Sequence, residues 1–364
     1  MKILLVITGL GMGGAENVVV NLADELVKRG HIVKVVYLTG PALVLPTSPD
    51  IEVVSIGMTG AKSFLTAFFK LRKIIASFKP DVVHGHMVHA NILSRLVRLT
   101  LKIPKLISTA HSTNEGGKAR MLAYRMTDKL ADISTNVSEE SVAEFVRQGA
   151  TKTGRMVAVP NGIDTSKFSF NSAVRDTVRR ELGVGDKNIL LAVGRLDPAK
   201  DYPNLLQATF LLKEQRQDFK LFIVGDGPLR AELMQRVKEL GLTEYVEFSG
   251  IRRDVKDLMS AADLYVMSSA WEGMPMVILE SMASELTVVA TDCGGIKTVV
   301  ADTGFIVSTG DSDALAGSIN MVLGMDPVDR LQLGVNARER IVQKYSLNKS
   351  TGSYLDIYNG FIKG

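Results

Sequence analysis

The chain has 364 residues, of which 46% are hydrophobic and 23% charged, a composition typical of globular proteins and not of disordered ones. Its length exceeds what one hydrophobic core usually serves, so we expect two domains. The single cysteine, Cys293, excludes an intramolecular disulfide, and no run approaches the roughly 18 apolar residues of a membrane span. These features together predict a cytoplasmic protein.

The net charge of +4 is unevenly distributed along the chain. Residues 1–165 hold 20 Lys and Arg against 13 Asp and Glu, whereas the remainder carries a small net negative charge. We therefore expect only the first half to meet an anionic partner.

Apolar runs of strand length alternate with amphipathic helical segments along the whole chain. The opening run is short and no small-residue cleavage site follows it, so it predicts a first strand and not a signal peptide. Strands separated by helices predict an α/β fold with parallel sheets, here as two Rossmann-like domains. The predicted strands are KILLVIT, HIVKVVYL, EVVSI, DVVHGH, KLIST, ISTNVS and MVAVP, then NILLAVG, KLFIVG, VEFSG, LYVMS, TVVATD and FIVS.

The predicted domain boundary falls between Ile163 and Leu190. A polar helix over Val174–Leu182 occupies this interval, and a final helix near Ser353–Ile362 lies beyond the last strand. The predicted domains are residues 1–168 and 186–345, with residues 346–364 as a C-terminal helix.

A glycine-rich loop, GLGMGG, follows the first strand and opens a helix. It fits the G-x-G-x-x-G pattern of dinucleotide-binding proteins, but the second strand ends in Val36–Thr39 without the acid that would hold a ribose. This disfavours a nicotinamide enzyme. The backbone N–H groups of Gly13 and Gly14 could instead approach a phosphate or a sugar, because no Cβ intervenes. A purely structural tight turn is the alternative.

Two cations follow the first strand of the second half. Arg195 and Lys200 stand five residues apart on a strand-exit loop and could converge on one diphosphate, the first with forked donors and the second as a point charge. The alternative is a pair of solvated surface charges.

Two carboxylates, Glu272 and Glu280, enclose the segment GMPMVIL. This layout places Glu272 in a strand-to-helix loop and Glu280 about two turns inside the helix, so that their backbones stand roughly 12 Å apart. Paired carboxyl groups in glycosidases stand only about 5 to 9.5 Å apart, so joint acid–base work is disfavoured. The spacing favours binding of two hydroxyl-bearing parts of one ligand, with an anion between them at the helix N-terminus. A sugar nucleotide has this anatomy, while a solvated helix face is the alternative.

The segments WEGMPMVILES, GMGGAEN and GRL…KD resemble the motifs of retaining glycosyltransferases of family 4. The resemblance implies the GT-B fold, in which two Rossmann-like domains enclose a cleft, the donor lies mainly on the second domain and the C-terminal helix returns to the first. It also implies a UDP-sugar donor, with GDP as the alternative carrier, and neither cofactor nor metal. The implied catalytic residues are His111 and Glu272. The other implied contacts are the diphosphate with Gly13, Gly14, Arg195 and Lys200, the sugar with Gly273, Met274, Pro275, Met276 and Val277, and the nucleoside with Gly225, Ile251 and Glu280.

All five histidines lie in the first half of the chain. His84, His86 and His89 are close in sequence, but neither a cysteine nor a nearby carboxylate completes a metal ligand set. A strand would place His84 and His86 on one side and His89 in the next helix, so a polar cluster at a strand end is favoured. His111 resembles the family histidine that reaches the donor sugar, and a buried structural histidine is the alternative.

The segment Ser63–Lys79 combines phenylalanines and leucines with Lys70, Arg72 and Lys73. This composition suits a helix at an anionic membrane surface, and a second basic run follows at Arg95, Arg98, Lys102 and Lys105. An ordinary helix with a solvated basic face is the alternative.

From these features we predict a retaining hexosyltransferase or N-acetylhexosaminyltransferase. Its acceptor is expected to be a lipid-linked saccharide of O-antigen, capsule or exopolysaccharide synthesis, at the cytoplasmic face of the inner membrane. A nucleotide-sugar 2-epimerase of the same fold and a non-catalytic nucleotide binder are the alternatives. Nucleic acid is not an expected partner, because few aromatic residues are interleaved with the charges of the basic half.

Overall fold

The computed structural model of the protein describes residues 1–113 and 115–361. It divides into two compact units. The first unit combines residues 1–162 with the segment that begins at Leu347, and the second unit is Ile163–Ser346. Each unit is built on one sheet of parallel strands flanked by helices, as the alternation in the sequence predicts.

The first unit contains a seven-stranded sheet whose strands are all parallel, in the order β3-β2-β1-β4-β5-β6-β7. This order reverses direction at β1, as in doubly wound sheets, which bind ligands beyond the carboxyl ends of the strands. The strands are β1 Lys2–Leu10, β2 Ile32–Ala42, β3 Glu52–Ser55, β4 Val82–His86, β5 Lys105–Thr109, β6 Ile133–Asn136 and β7 Met156–Ala158.

Helices cover both faces of this sheet. One core joins β1 and β2 to α1 and α14, and a second core on α2 and α3 packs against Leu4, Val6, Val83 and Leu106. The helices are α1 Gly14–Lys28, α2 Phe64–Phe78, α3 Val88–Val97, α4 Lys118–Thr127, α5 Glu139–Arg147 and, from the end of the chain, α14 Leu347–Asn359.

The C-terminal helix α14 begins six residues before the predicted start at Ser353. It belongs to the first unit, where Tyr354, Ile357 and Tyr358 are buried in the same core as α1. The helix ends at Asn359, and the predicted end at Ile362 lies outside the described residues.

The second unit contains a six-stranded parallel sheet in the order β10-β9-β8-β11-β12-β13. The order again reverses direction, here between β8 and β11. The strands are β8 Asn188–Val193, β9 Phe219–Val224, β10 Val246–Gly250, β11 Leu264–Met267, β12 Val288–Thr291 and β13 Phe305–Val307. Each strand run named from the sequence therefore forms a strand, and the α/β fold with two Rossmann-like domains is confirmed.

The helices of the second unit are α6 Ser172–Leu182, α7 Tyr202–Lys213, α8 Arg230–Glu239, α9 Val255–Ala261, α10 Met276–Ala283, α11 Ile296–Val300, α12 Ser312–Leu323 and α13 Pro327–Lys344. Helix α6, which the sequence placed between the domains, is anchored inside this unit. Arg175 and Arg179 both form ion pairs with Asp263 before β11, at 2.5 and 2.8 Å. These charged contacts explain why so polar a helix packs against the domain.

Candidate functional site

Lys200 and Glu272 form a short ion pair in the second unit. Lys200 ends a 3-10 turn after β8, and Glu272 lies in the loop between β11 and α10. The Lys200 Nζ donates to Glu272 Oε1 at 2.5 Å, and the two side chains are only 18% and 16% exposed. Ser269 Oγ donates to the same carboxylate oxygen at 3.0 Å. The residues predicted to hold the diphosphate and the sugar therefore contact each other.

Further hydrogen bonds fasten the loops that carry this pair. The Ala270 N–H donates to the Ala199 carbonyl at 2.8 Å, and Ser268 Oγ donates to the Lys200 carbonyl at 2.8 Å. Asp201, directly after Lys200, has a φ of 44°, a left-handed conformation that is uncommon for a residue other than glycine. Such strained residues concentrate at functional sites.

The turn after β12 packs its backbone against the Glu272 loop. Gly294 has a φ of 56°, and a Cβ there would overlap the carbonyl oxygens of Glu272 and Gly273. The Gly295 N–H donates to the Gly273 carbonyl at 2.9 Å. A glycine at position 294 is therefore required for the observed position of Glu272.

The predicted sugar loop, Gly273–Val277, leads into α10. Met274 and Met276 are buried, so their side chains belong to the core. Helix α10 begins at Met276, so Glu280 lies about one turn inside the helix. The position about two turns inside the helix that the sequence predicted was wrong. The N-cap residue of this helix is Pro275, whose side chain accepts no hydrogen bond from the first turn, so the positive end of the helix remains suited to an anion.

The Glu280 side chain is partly buried, and none of the described residues forms an ion pair with its carboxylate. Burial raises the pKa of Glu280 to about 7, and the more distant Lys167 opposes the shift only in part. A carboxylate in this setting gains from any ligand that donates hydrogen bonds to it.

The carboxyl ends of β8, β9 and β10 are tied together by backbone hydrogen bonds. The Gly194 N–H donates to the Val224 carbonyl at 2.9 Å, and the Gly225 N–H donates to the Gly250 carbonyl at 2.8 Å. Gly225 has a φ of 139°, and a Cβ there would overlap the Gly194 carbonyl. The sites predicted to bind diphosphate and nucleoside therefore share one rigid edge of the sheet.

Two predicted contact residues at this edge are exposed. The Arg195 side chain is 72% exposed, and its Nε lies 3.9 Å from Asp197 Oδ2. Ile251 follows β10 and is exposed on the surface. The structure thus gives the two predicted diphosphate cations different surroundings, because Lys200 is held by Glu272 whereas Arg195 is largely in solvent.

In the first unit, Gly13 and Gly14 lie at the start of α1, as predicted. The Glu16 carboxylate folds back over this loop, and a Cβ on Gly13 would overlap its oxygens. Burial raises the pKa of Glu16, against the opposing effect of its own backbone N–H. The positive end of α1 therefore already has an acidic side chain beside it, which the glycine pattern does not predict.

His111 follows β5 and is held by its neighbours on two sides. Its backbone N–H donates to Glu115 Oε1 at 2.9 Å, and Tyr124 donates to the other oxygen of that carboxylate at 2.5 Å. Its ring Nε2 lies 3.1 Å from His86 Nδ1. Burial lowers the pKa of His111 to about 4, so the ring is neutral near pH 7.

His84 and His86 lie on one side of β4 with ring centroids 3.9 Å apart, and His89 is in α3. His84 bonds through its two ring nitrogens to Tyr358 and Thr109. Over residues 1–113 and 115–361, no group of three or more His, Cys, Asp or Glu side chains is placed to hold a metal ion.

Helix α2 buries Ala67, Leu71 and Ile75 and turns Leu65 and Phe69 outward. These two side chains are 66% and 59% exposed. A surface depression on this helix is lined by Leu65, Thr66, Phe69, Lys70 and Lys73. Within the described part of the chain, no helix is long and apolar enough to cross a membrane.

In the second basic run, the prediction was wrong for Arg95, which is only 1% exposed, whereas Arg98, Lys102 and Lys105 are not buried. Its guanidinium donates to Ser108, Thr127 and Ser134, and it lies 5.1 Å from the centroid of the Tyr124 ring. A buried arginine needs such partners, and serine and threonine hydroxyls supplied by several elements carry no readable spacing in the sequence.

Sequence comparison places each unit in a known family. Residues 12–167 match the family described as Glycosyltransferase Family 4, and residues 174–340 match the family described as Glycosyl transferases group 1.

Among curated relatives, the chain is 29% identical over 353 residues to a Campylobacter jejuni protein, with 93% of each chain covered. That relative is the GalNAc-α-(1→4)-GalNAc-α-(1→3)-diNAcBac-PP-undecaprenol α-1,4-N-acetyl-D-galactosaminyltransferase. This chain is also 25% identical over 307 residues to the Escherichia coli UDP-Gal:α-D-GlcNAc-diphosphoundecaprenol α-1,3-galactosyltransferase, with 81% of this chain and 79% of that relative covered.

Among solved structures, Anabaena HepE in complex with UDP and glucose superimposes with a TM-score of 0.86. The sequence identity is 22%, and 99% of each chain is covered. This likeness shows the fold.

Proposed function

The chain belongs to the GT-B glycosyltransferases of the family 4 type, and from that premise we propose that it moves a hexose or N-acetylhexosamine from a UDP-sugar to a lipid-linked saccharide. The transfer would retain the anomeric configuration. The observation that carries the proposal is the Lys200–Glu272 pair, which sits beside an uncapped helix N-terminus at the carboxyl edge of the second sheet.

The pair offers a bound sugar nucleotide one cation and one hydrogen-bond acceptor at adjacent points. Glu272 accepts hydrogen bonds from sugar hydroxyls, while Lys200 turns to the diphosphate, and Arg195 approaches from solvent. Glu280 accepts hydrogen bonds from the ribose. Charge accumulates on the leaving diphosphate as the glycosidic bond breaks, so the cations stabilise the transition state more than the ground state.

Retention follows, in this proposal, from displacement on the front face of the sugar. The acceptor oxygen bonds to the anomeric carbon on the face from which the diphosphate departs, and a departing phosphate oxygen takes the acceptor proton. The two cations serve the role that a metal has in other transferases, so the reaction needs neither metal nor cofactor.

The acceptor assignment is supported by the relatives from Campylobacter jejuni and Escherichia coli, whose names specify undecaprenol-linked acceptors. By analogy, the proposed role is in O-antigen, capsule or exopolysaccharide synthesis. The excess of positive charge in residues 1–165 suits the diphosphate of such an acceptor.

A panel of nucleotide sugars tests the proposal. Nucleotide release is measured with UDP- and GDP-linked hexoses and N-acetylhexosamines, with and without undecaprenyl-diphosphate saccharides. Acceptor-dependent release of UDP, and a product whose new linkage has the donor's anomeric configuration by NMR, are expected. Release of a free epimerised sugar without acceptor would instead identify an epimerase, and calorimetry showing no binding of any UDP or GDP compound would refute the proposal.

Substitution of the ion pair tests the site itself. Lys200→Ala and Glu272→Ala should each lower turnover at least about tenfold, because each removes a contact that strengthens in the transition state. Lys220→Ala and Glu247→Ala are matched controls, since that pair has a 2.7 Å contact between neighbouring strands of the same unit. Near-wild-type turnover in either site variant would contradict the assignment.

We also propose that the first unit docks on an anionic leaflet through α2. Leu65 and Phe69 would enter the headgroup region, and the exposed Arg72 and Lys73 on the following turns would bind lipid phosphates. This places the enzyme at the cytoplasmic face of the membrane that holds its acceptor.

Liposome flotation at physiological salt tests the docking. The wild-type chain should float with vesicles containing phosphatidylglycerol, and Leu65→Ser with Phe69→Ser should abolish flotation without changing UDP binding. Val328→Ser, which removes an exposed apolar residue of the second unit, is the control and should float normally. Flotation that is equal for all three proteins, or absent for the wild type, would refute the docking.

A further inference from the structure

The histidines of the first unit form a continuous chain of contacts that starts at the C-terminal helix. The Tyr358 hydroxyl of α14 lies 2.7 Å from His84 Nδ1, and His84 Nε2 lies 2.6 Å from Thr109 Oγ1. The rings of His84 and His86 pack with centroids 3.9 Å apart, and His86 Nδ1 lies 3.1 Å from His111 Nε2. Each ring is therefore located by the one before it.

The His86–His111 contact joins two neutral rings. Burial lowers the pKa of His86 well below its usual value and that of His111 to about 4. A hydrogen bond between neutral imidazoles requires one ring to donate and the other to accept, so only two proton arrangements exist. When His86 donates, the His111 proton is on Nδ1; when His86 accepts, the His111 Nδ1 is unprotonated.

The other ends of this pair have no protein partner. His86 Nε2 and His111 Nδ1 are both buried, and neither forms a hydrogen bond with any residue in the described ranges. A fixed tautomer therefore presents His111 Nδ1 to a ligand as either a donor or an acceptor, and the hydrogen bond to the other ring nitrogen decides which.

We propose that His86 is a positioning residue for His111, fixing the plane and the tautomer of its ring, and that His84 and Tyr358 of α14 hold His86 in place. The inference rests on the proposed function and on the role that the family resemblance implies for His111, contact with the donor sugar. The proposal also gives the C-terminal helix α14 a structural role at the site, because its Tyr358 hydroxyl begins the chain of contacts.

Nitrogen-15 NMR of the histidine rings tests this coupling without any assay of activity. The chain has only five histidines, so single substitutions assign each ring. In the wild type, the two ring nitrogens of His111 should have the separate shifts of one tautomer. In His86→Leu they should move towards the averaged values of exchanging tautomers, and in His86→Asn, whose amide can occupy the place of Nδ1, the separate shifts should return.

Kinetics of the same variants provide the functional test. His86→Leu should lower kcat about 10- to 100-fold, as loss of an orienting partner typically does, while the UDP Kd stays within about twofold. His86→Asn should recover most of the lost turnover, and Tyr358→Phe should show a smaller loss than His86→Leu. His31→Leu is the control and should match the wild type, because His31 lies directly before β2 and outside this chain of contacts.

The outcomes separate the two proposals. A His111 ring with unchanged nitrogen shifts in His86→Leu refutes the positioning role, whether or not the protein transfers sugar. A kcat per folded molecule that is equal in the wild type and both His86 variants refutes it too. If the shifts respond as expected but no donor is turned over, the proposed function fails and the coupling of the rings stands.

Discussion

At the scale of single residues, the features that define the site are unusual protonation states. Glu280 is a carboxyl group whose burial raises its pKa to about 7. The folded protein therefore binds a proton that the unfolded chain has lost, and Glu280 lowers the free energy of unfolding by up to about 3 kcal/mol as the pH rises from the unfolded-state pKa to the folded one. A ligand that hydrogen-bonds to the ionised form would offset this cost.

Nucleotide affinity should accordingly rise with pH. In the proposed function, ribose hydroxyls donate to ionised Glu280, so UDP binding should release a proton below about pH 7, and the Kd should fall roughly tenfold between about pH 5.5 and about pH 8. Isothermal titration calorimetry in buffers of different ionisation enthalpy measures both quantities. Glu280→Gln should bind UDP more weakly, with affinity that changes less with pH, because only the terminal phosphate of UDP, with a pKa of about 6, still titrates in this range. The same pH slope in this variant would show that another group is titrating.

At the scale of elements, the position of Glu272 depends on loops that pack backbone against backbone. Gly294 lies in the turn after β12 and leaves no room for a Cβ against the Glu272 and Gly273 carbonyls. The Ala199–Ala270 hydrogen bond fixes the same loop from the other side. The carboxylate is thus located by three elements, of which only its own loop carries the recognisable motif.

Gly294→Ala should therefore lower turnover more than tenfold by displacing the Glu272 loop, since displacement of about 1 Å can cost about 100-fold. Gly310→Ala is a matched control, because Gly310 has a φ of 73° but a Cβ there would meet nothing within 4 Å. Both changes add similar backbone strain of about 1 kcal/mol. Steady-state kinetics and thermal melts should show loss of stability in both proteins but loss of turnover only in the first. Equal turnover would mean that the loop tolerates the change.

The strand runs were predictable because period and turn residues are local properties of the sequence. The contacts within the site were harder to predict from the sequence. Lys200 and Glu272 were assigned to different parts of one ligand, and nothing in their spacing indicated that they pair. The burial of Arg95 was not predictable, because the hydroxyls that accept hydrogen bonds from its guanidinium come from three separate elements, β5, β6 and α4. The Glu16 carboxylate beside the glycine loop was not predicted, because a glycine-rich pattern indicates only which backbone groups a ligand can approach.

At the scale of the whole molecule, each unit has its own core. Ile357 in α14 belongs to the core of the first unit, and Ile341 in α13 is buried in the second, although both helices lie near the end of the sequence. Both side chains are completely buried. Nearby residues of the sequence thus stabilise different units.

Ile357→Ala and Ile341→Ala should each cost about 2 to 4 kcal/mol, but in different units. Trp271, the single tryptophan, lies in the second unit, so its fluorescence follows the unfolding of that unit. In urea, Ile341→Ala should lower the midpoint of the fluorescence transition. Ile357→Ala should lower the midpoint of the circular dichroism transition that belongs to the first unit, and should leave the fluorescence midpoint unchanged. A single transition that both substitutions shift equally would show that the units unfold together.

The discontinuous first unit also has a consequence for biosynthesis. A nascent chain that emerges from the ribosome has all seven strands of the first sheet long before α14, which follows the entire second unit. The second unit can thus fold before the first unit is complete. Until α14 is synthesised, the core of the first unit lacks Tyr354, Ile357 and Tyr358. Premature termination within α13 would leave that interior open to chaperones and proteases, so partial translation products are not expected to accumulate as stable fragments.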